Sequence, residues 1–212
     1  PWIRINRIIR DIPNINILGG NKNVNLHQQI IDSEKVKSKC IRSREVKNNT
    51  KDIEKAKLFV REYNAVDAVE YFISFESPDQ EILYGFLRLR INFSNQYLIY
   101  PELEDCGFIR ELHVYGSIVK HDTKQGNSVQ HHGFGKRLMK KAEELTYYNN
   151  YNKVAVIAGV GVREYYQNIG YKLEKNYMIK TIYKESYFDP FLITISMAII
   201  IIIISIVYDI YS

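Results

Sequence analysis

Gln130-His131-His132-Gly133-Phe134-Gly135, running on into Lys136-Arg137-Leu138-Met139-Lys140-Lys141-Ala142-Glu143-Glu144-Leu145, is the stretch that decides the fold. Two glycines two apart let a backbone curl close to a bulky anion. The helix that follows points free amide N–H groups and the positive end of its dipole at that anion. The helix shows in the periodicity: Phe134, Leu138, Ala142 and Leu145 share one stripe, while Lys136, Arg137, Lys140, Lys141, Glu143 and Glu144 fill the rest. It is expected from Gly133 to about Tyr148. Working outward, Phe108 to Tyr115 (FIRELHVY) alternates as a strand, and Lys153 to Ala158 (KVAVIA) is a short apolar strand. The glycines therefore lie between strand and helix. A dinucleotide-binding turn needs glycines spaced GxGxxG, and a P-loop ends in Gly-Lys-Ser/Thr; neither is present. The remaining common user of such a turn is the pyrophosphate of coenzyme A.

At 212 residues and 46% hydrophobic content, the chain can bury one good core with residues to spare. The formal net charge is +5, with the basic excess concentrated early: Arg4, Arg7, Arg10, Lys35, Lys37, Lys39, Arg42, Arg44 and Lys47. That stretch suits an acidic partner such as RNA, and it also suits a solvated basic face. Cys40 and Cys106 are the only cysteines, too few for a disulfide framework, which points to a reducing compartment. The start at Pro1-Trp2, without an initiator Met, reads as a fragment of a longer protein.

Asn14 to Asn25 is turn-rich, and helices are expected over Leu26 to Lys39 and Lys51 to Asn64. Tyr71 to Phe75 and Ile82 to Ile91 read as strands paired in a hairpin through Ser77-Pro78-Asp79-Gln80. A weak strand is expected at Tyr97 to Tyr100 and a polar loop at Gly116 to Val129. Gly159-Val160-Gly161 makes a tight turn, and Val162 to Asn168 a short helix closed by Gly170. Tyr171 to Tyr183 is one bent strand or two short ones, and the Asn-rich run from Tyr148 to Asn152 reads as compositional bias. From Pro190 to Tyr208 no residue is charged, and at 1.5 Å per residue this stretch spans about 28 Å, the thickness of a thin bilayer. Only Asp209 to Ser212 follow, so a transmembrane tail anchor is expected. Lys180 and Lys184 before it keep the rest of the chain on the cytosolic side.

On Phe108 to Tyr115, alternation places Glu111, His113 and Tyr115 opposite Leu112 and Val114. Glu111 or His113 could move a proton at a reacting carbonyl, or orient the strand by hydrogen bonding.

The order strand, glycine turn, helix, strand, helix, strand resembles the GCN5-related N-acetyltransferases, an α+β fold with a mixed central sheet flanked by helices. The segments FIRELHVYG (108–116), QHHGFGKRLMKKAEE (130–144), KVAVIAGVGVREYYQNIGY (153–171) and YMIK (177–180) resemble more narrowly the acetyltransferase domain of the Elongator catalytic third-subunit family. PWIRINRIIRDIP (1–13), SREV (43–46) and SPDQEILYGFLRLR (77–90) agree with it. The resemblance divides the chain into the end of a radical S-adenosylmethionine domain with its linker (1–47), the acetyltransferase domain (48–185) and the tail anchor (190–208).

It further implies tRNA as substrate and a carboxymethyl-type modification at C5 of the wobble uridine. Acetyl-CoA would be the acyl donor, with a [4Fe-4S] cluster and S-adenosylmethionine in a preceding domain. Other Elongator subunits would be partners, a homodimer is left open, and membrane-anchored variants point to the mitochondrial outer membrane. For acetyl-CoA it implies main-chain contacts from Gln130, His131, His132, Gly133, Phe134, Gly135 and Lys136 to the pyrophosphate. The pantetheine arm would run along Leu112, His113 and Val114, where the strand splays from its neighbour. Tyr165 and Tyr166 mark the acetyl end. A tyrosine there donates a proton to the departing thiolate, and since adjacent helical residues diverge by about 100°, Tyr166 is taken to face the sulfur while its neighbour packs. Cys40 lies near a linker cysteine that the family associates with zinc, two residues closer to SREV. The fold alone also admits a membrane-anchored lysine acetyltransferase acting on histones or tubulin, and a non-catalytic scaffold.

Overall fold

Two long strands meet at Ser77-Pro78-Asp79-Gln80, where the Gln80 N–H donates to the Ser77 carbonyl at 2.8 Å and Gln80 takes φ +63°. The computed structural model describes residues 1–5, 14–20, 22–23, 26, 29–30, 33, 38–47, 53–94, 99–115 and 133–183. The strands are β2 (Ala68–Glu76) and β3 (Leu83–Asn92), antiparallel as the hairpin reading requires. β2 is buried along its whole length because it is covered on both faces and both edges. Around it lie β1 (Lys57–Ala65), β4 (Cys106–Val114), β5 (Lys153–Ile157), β6 (Lys172–Glu174) and β7 (Tyr177–Thr181). The sheet order is β1-β2-β3-β4-β5-β7-β6, and only β4 and β5 run parallel. A parallel pair needs a crossover, and α2 (Phe134–Tyr148) supplies it. Two short helices, α1 (Ile41–Arg44) and α3 (Arg163–Gln167), accompany it.

α2 lays Phe134, Leu138, Met139 and Ala142 on Ile73, Phe75, Leu87 and Ile109 of the sheet. Burying side chains of this size is worth about 1.5–3 kcal/mol each, an upper bound because the unfolded chain is already partly collapsed. Gly107 on β4 is needed for this contact: a Cβ there would stand 2.2 Å from the Thr146 hydroxyl oxygen on α2. The helix ends where Asn149 donates from its amide side chain to the Leu145 carbonyl (2.8 Å) and Asn150 turns to φ +66°. The asparagine run is therefore a helix stop as well as a compositional bias.

On the opposite face, Phe72, Leu83 and Phe86 are covered by Ile41, and Trp2 stacks on Tyr63 at 5.2 Å. Residues 1–5 and 38–47 thus form a strap, joined by the Ile41 N–H to Ile3 carbonyl bond. Its anchor is Arg44 of the SREV motif, 4% exposed, 2.9 Å from Glu76; Arg61 of β1 reaches the same carboxylate at 2.7 Å. These residues and the sheet belong to one unit, Pro1–Ile182.

The helix expected over Lys51 to Asn64 is corrected to a 3-10 turn, Ile53–Lys55, followed by β1. Leu58, Phe59, Val60 and Tyr63 look helical in spacing. In the sheet, however, Arg61 points inward to meet Glu76, a charged interior position that local periodicity could not anticipate. The strand expected at Tyr97 to Tyr100 does not extend through Ile99 and Tyr100, which lie in a bend before the 3-10 turn Pro101–Leu103. Tyr171 to Tyr183 resolves into the hairpin β6/β7, turned at Lys175 with φ +51°. Of the helix expected over Leu26 to Lys39, the helical positions described are Leu26, Gln29 and Ile30. The loop 116–129, the residues Gln130, His131 and His132, and the expected tail anchor at 190–208 lie outside the described residues. Among the described residues no helix is long and apolar enough to cross a membrane.

Candidate functional site

β4 changes character at Arg110. Its first half pairs with β5 from Cys106↔Lys153 to Ile109↔Val156, and there the pairing stops although β4 continues to Val114. On the β3 side the register steps from Leu89↔Ile109 to Arg88↔Glu111, which leaves Arg110 as the extra residue of a β-bulge. A bulge increases local twist and bends the strand, so β4 leaves β5 and a cleft opens between them. The Tyr115 N–H donates to the Tyr84 carbonyl at 3.0 Å, so Glu111, His113 and Tyr115 face their backbone groups to β3. By alternation, Leu112 and Val114 present theirs to the cleft.

At the mouth of the cleft stands α2. Gly133 is its N-cap at φ +64°, a left-handed conformation that costs about 1–2 kcal/mol for a residue with a side chain. Among the described residues no side chain caps this end, no acidic residue lies in its first turn, and the first intrahelical bond runs from the Arg137 N–H to the Gly133 carbonyl at 3.2 Å. The N–H groups of Phe134, Gly135 and Lys136 are therefore directed out of the helix with its positive dipole end. The Phe134 ring itself is buried and stacked on Phe75 at 4.4 Å, so this residue can offer a ligand only its main chain. Lys136 is exposed.

Tyr165 closes the cleft from α3. A Cβ on Gly135 would lie 2.8 Å from the Tyr165 hydroxyl oxygen, with a Val114 methyl 3.7 Å away. The hydroxyl thus sits between the helix mouth and the free end of β4. It is buried and has no hydrogen-bond partner among the described residues. Burial, with the neighbouring Tyr166, pushes its pKa up to about 12, so at neutral pH it holds its proton. Tyr166 turns the other way, 7% exposed in the core and edge-on to Tyr171. Sequence reasoning named both tyrosines and favoured Tyr166; the geometry puts Tyr165 at the cleft. The Gly135–Tyr165 contact that separates them is long-range and left no signal in the sequence.

Glu111 and His113 lie on the strap side of the sheet. Glu111 accepts from Arg88 at 3.1 Å, and Arg88 in turn donates to the Trp2 carbonyl at 2.7 Å. The His113 ring stacks on Phe86 and lies 4.4 Å from the Tyr115 ring. Glu111 thus has a hydrogen-bonded partner on β3, while the contacts given for His113 are ring contacts. Cys40 has its sulfur 3.0 Å from the Ser43 hydroxyl; burial pushes its thiol up, but hydrogen bonds from Ser38 and Ser43 bring it down to about 7. Cys106, by contrast, is pushed up to about 11 by burial. No three His, Cys, Asp or Glu side chains gather into a metal site among the described residues.

A mixed sheet with splayed parallel strands and a glycine-mouthed crossover helix defines the class: a domain of GCN5-related N-acetyltransferase fold. Comparison with protein-family models finds no match. The chain is 38% identical to Elongator complex protein 3 of Drosophila melanogaster over 192 residues, covering 86% of this chain and 34% of that protein. Elongator complex protein 3 of Homo sapiens is 37% identical over 190 residues, covering 85% of this chain and 34% of that protein. The solved structure of archaeal Methanocaldococcus infernus Elp3, with an N-terminal deletion, superposes with a TM-score of 0.67 at 35% identity, covering 85% of this chain and 45% of that one. Over this stretch the chain is a homologue of Elongator complex protein 3, and it spans about a third of the length of these curated relatives.

Proposed function

We propose that this domain binds acetyl-CoA in the β4/β5 cleft and acts as the acyltransferase part of an Elongator-type enzyme that modifies C5 of the wobble uridine in tRNA. The observation that carries the reading is the Tyr165 hydroxyl, without a partner among the described residues, between the Gly135 turn and the end of β4. A buried hydroxyl without a partner costs about 1–3 kcal/mol, and a ligand sulfur or carbonyl in the cleft would relieve that cost.

The N–H groups of the Gly133 to Lys136 turn would hold the pyrophosphate, with Gln130, His131 and His132 proposed from the sequence to share in that contact. The main-chain groups of Leu112 and Val114 would bind the amide arm as an added strand does. When bound, acetyl-CoA supplies an activated acyl group; Tyr165 keeps a proton at its hydroxyl oxygen for the thiolate that acyl loss leaves. The chain has only two cysteines, so it cannot itself hold the three-cysteine cluster of a radical S-adenosylmethionine domain. That chemistry, and the contacts to other Elongator subunits, belong in this reading to polypeptide beyond this chain. The uncharged stretch Pro190 to Tyr208 supports a membrane anchor with the domain facing the cytosol, and the outer mitochondrial membrane is the proposed address.

The test is acetyl-CoA turnover by the full chain with and without tRNA, comparing wild type with Gly133→Arg. Turnover stimulated by tRNA and abolished by the substitution is expected. Turnover indifferent to Gly133→Arg contradicts the site, and acetylation of a histone or tubulin peptide with no response to tRNA favours a lysine acetyltransferase. For the anchor, the full chain is expected to float with liposomes and a chain ending at Thr181 to remain behind.

A further inference from the structure

We propose that Glu45 of the strap is a positioning residue for the acyl-donor cleft, acting through the hydroxyl of Tyr115. The proposal rests on the acetyl-CoA reading above. Tyr115 directly follows β4, and its N–H to the Tyr84 carbonyl is, among the described residues, the last backbone bond holding that strand end to β3. Beyond Arg110 no described strand pairs with the other edge of β4, so among the described residues the strand ladder holds this half from the β3 side only. The side chain of Tyr115 adds the missing restraint. Its hydroxyl donates to Glu45 Oε1 at 3.1 Å, and its ring packs against Phe86 and against His113.

Glu45 is itself fixed. It lies between Arg44, whose guanidinium is buried on Glu76, and Val46, whose N–H donates to the Leu83 carbonyl at 3.1 Å. Arg4, from the other limb of the strap, approaches the same carboxylate at 3.5 Å. Burial together with the adjacent Glu45 carboxylate raises the Tyr115 pKa far above neutrality, so the phenol remains the donor throughout the working pH range. The strap therefore grips the strand end through Tyr115 on the face away from α2, while the cleft uses the backbone edge of the alternate residues Leu112 and Val114. A donor or acceptor that must meet an amide arm within a few tenths of an ångström gains from such pre-organisation, because less order has to be bought on binding.

The experiment is a double-mutant cycle on acetyl-CoA affinity in the full chain, by calorimetry, with Glu45→Ala, Tyr115→Phe and the pair, and melting temperature followed in parallel. Each single change is expected to raise Kd about fivefold, the equivalent of one net hydrogen bond, with the double change no worse than either. Glu45→Gln, which keeps an acceptor oxygen, is expected to restore affinity to near wild type. In turnover, KM should rise with kcat unchanged. Should Glu45→Ala not fold, Tyr115→Phe and Glu45→Gln deliver the same comparison. Wild-type binding with unchanged affinity in Tyr115→Phe, or additive losses in the pair, overturns the positioning role alone. A wild-type chain that binds no acetyl-CoA overturns both this inference and the reading beneath it.

Discussion

The two halves of β4 are built from one strand and serve opposite ends. Cys106 to Ile109 is sealed: β5 pairs along its edge, Thr146 packs onto Gly107, and Ile109 is fully buried. Arg110 to Tyr115 has no described strand on that edge, and Glu111 and Tyr115 are held from behind, through Arg88 and by Glu45 of the strap. The lesson is that a site needs backbone groups left unsatisfied, and a fold can leave them so only where something else fixes the strand. The bulge at Arg110 is the boundary between the two regimes.

The comparison breaks most visibly if the strap's anchor is removed. Glu76→Ala leaves Arg44 and Arg61 buried without their carboxylate and is expected to cost about 3–5 kcal/mol, read as a fall in the denaturant midpoint. A milder effect there would mean the strap is not what holds the open half. Tyr165→Phe tests the open half itself: turnover should fall about 100-fold, the usual scale of a lost proton donor, while the melting temperature holds or rises because an orphaned hydroxyl has gone. If turnover survives and stability drops, Tyr165 is a packing residue. In the sealed half, Gly107→Ala drives a Cβ into Thr146 and should cost about 1–3 kcal/mol of stability, with acetyl-CoA affinity of the folded protein unchanged.

Acid titration sharpens the same contrast. Burial pushes the Glu76 carboxyl up, but hydrogen bonds from Arg61 and Ser74 and the charge of Arg44 outweigh it, so its folded pKa lies below the ordinary carboxylate value. The stabilisation is then fully present above the unfolded value of about 4.3 and is lost as pH falls through the folded one. Unfolding measured from pH 6 to pH 2 should steepen below about pH 4.3 in wild type, and that component should be missing in Glu76→Ala. The smallest effect belongs to Glu111→Gln, whose half-exposed pair with Arg88 should contribute less than about 1 kcal/mol. A 100-fold loss of turnover from that change would restore Glu111 as an acid–base group.

Much of this was legible from residue order. Local periodicity found α2, both strands flanking it and the β2/β3 hairpin, because amphipathic spacing and turn chemistry act within a few residues. Gly133 was marked as a cradle residue for its conformational freedom, and the structure has it at φ +64°. The Lys51 to Asn64 reading failed where a charge is buried: Arg61 makes sense in a strand only once Glu76 is opposite it. Tyr165 and Tyr166 were paired from the sequence but could not be told apart, since which of two neighbours meets Gly135 is set by how α3 docks.

The amino-acid order by itself determined the β2/β3 hairpin, α2 with its flanking strands, the glycine turn at the mouth of α2, and an apolar stretch at 190–208, all of which depend on neighbours in the chain. Only the tertiary structure decided where β4 parts from β5, which tyrosine reaches the cleft, and that the SREV segment grips the strand's free end through Glu45. Those outcomes rest on contacts between residues dozens of positions apart, Arg44 with Glu76, Glu45 with Tyr115 and Gly135 with Tyr165, whose energies exist only once the sheet has closed.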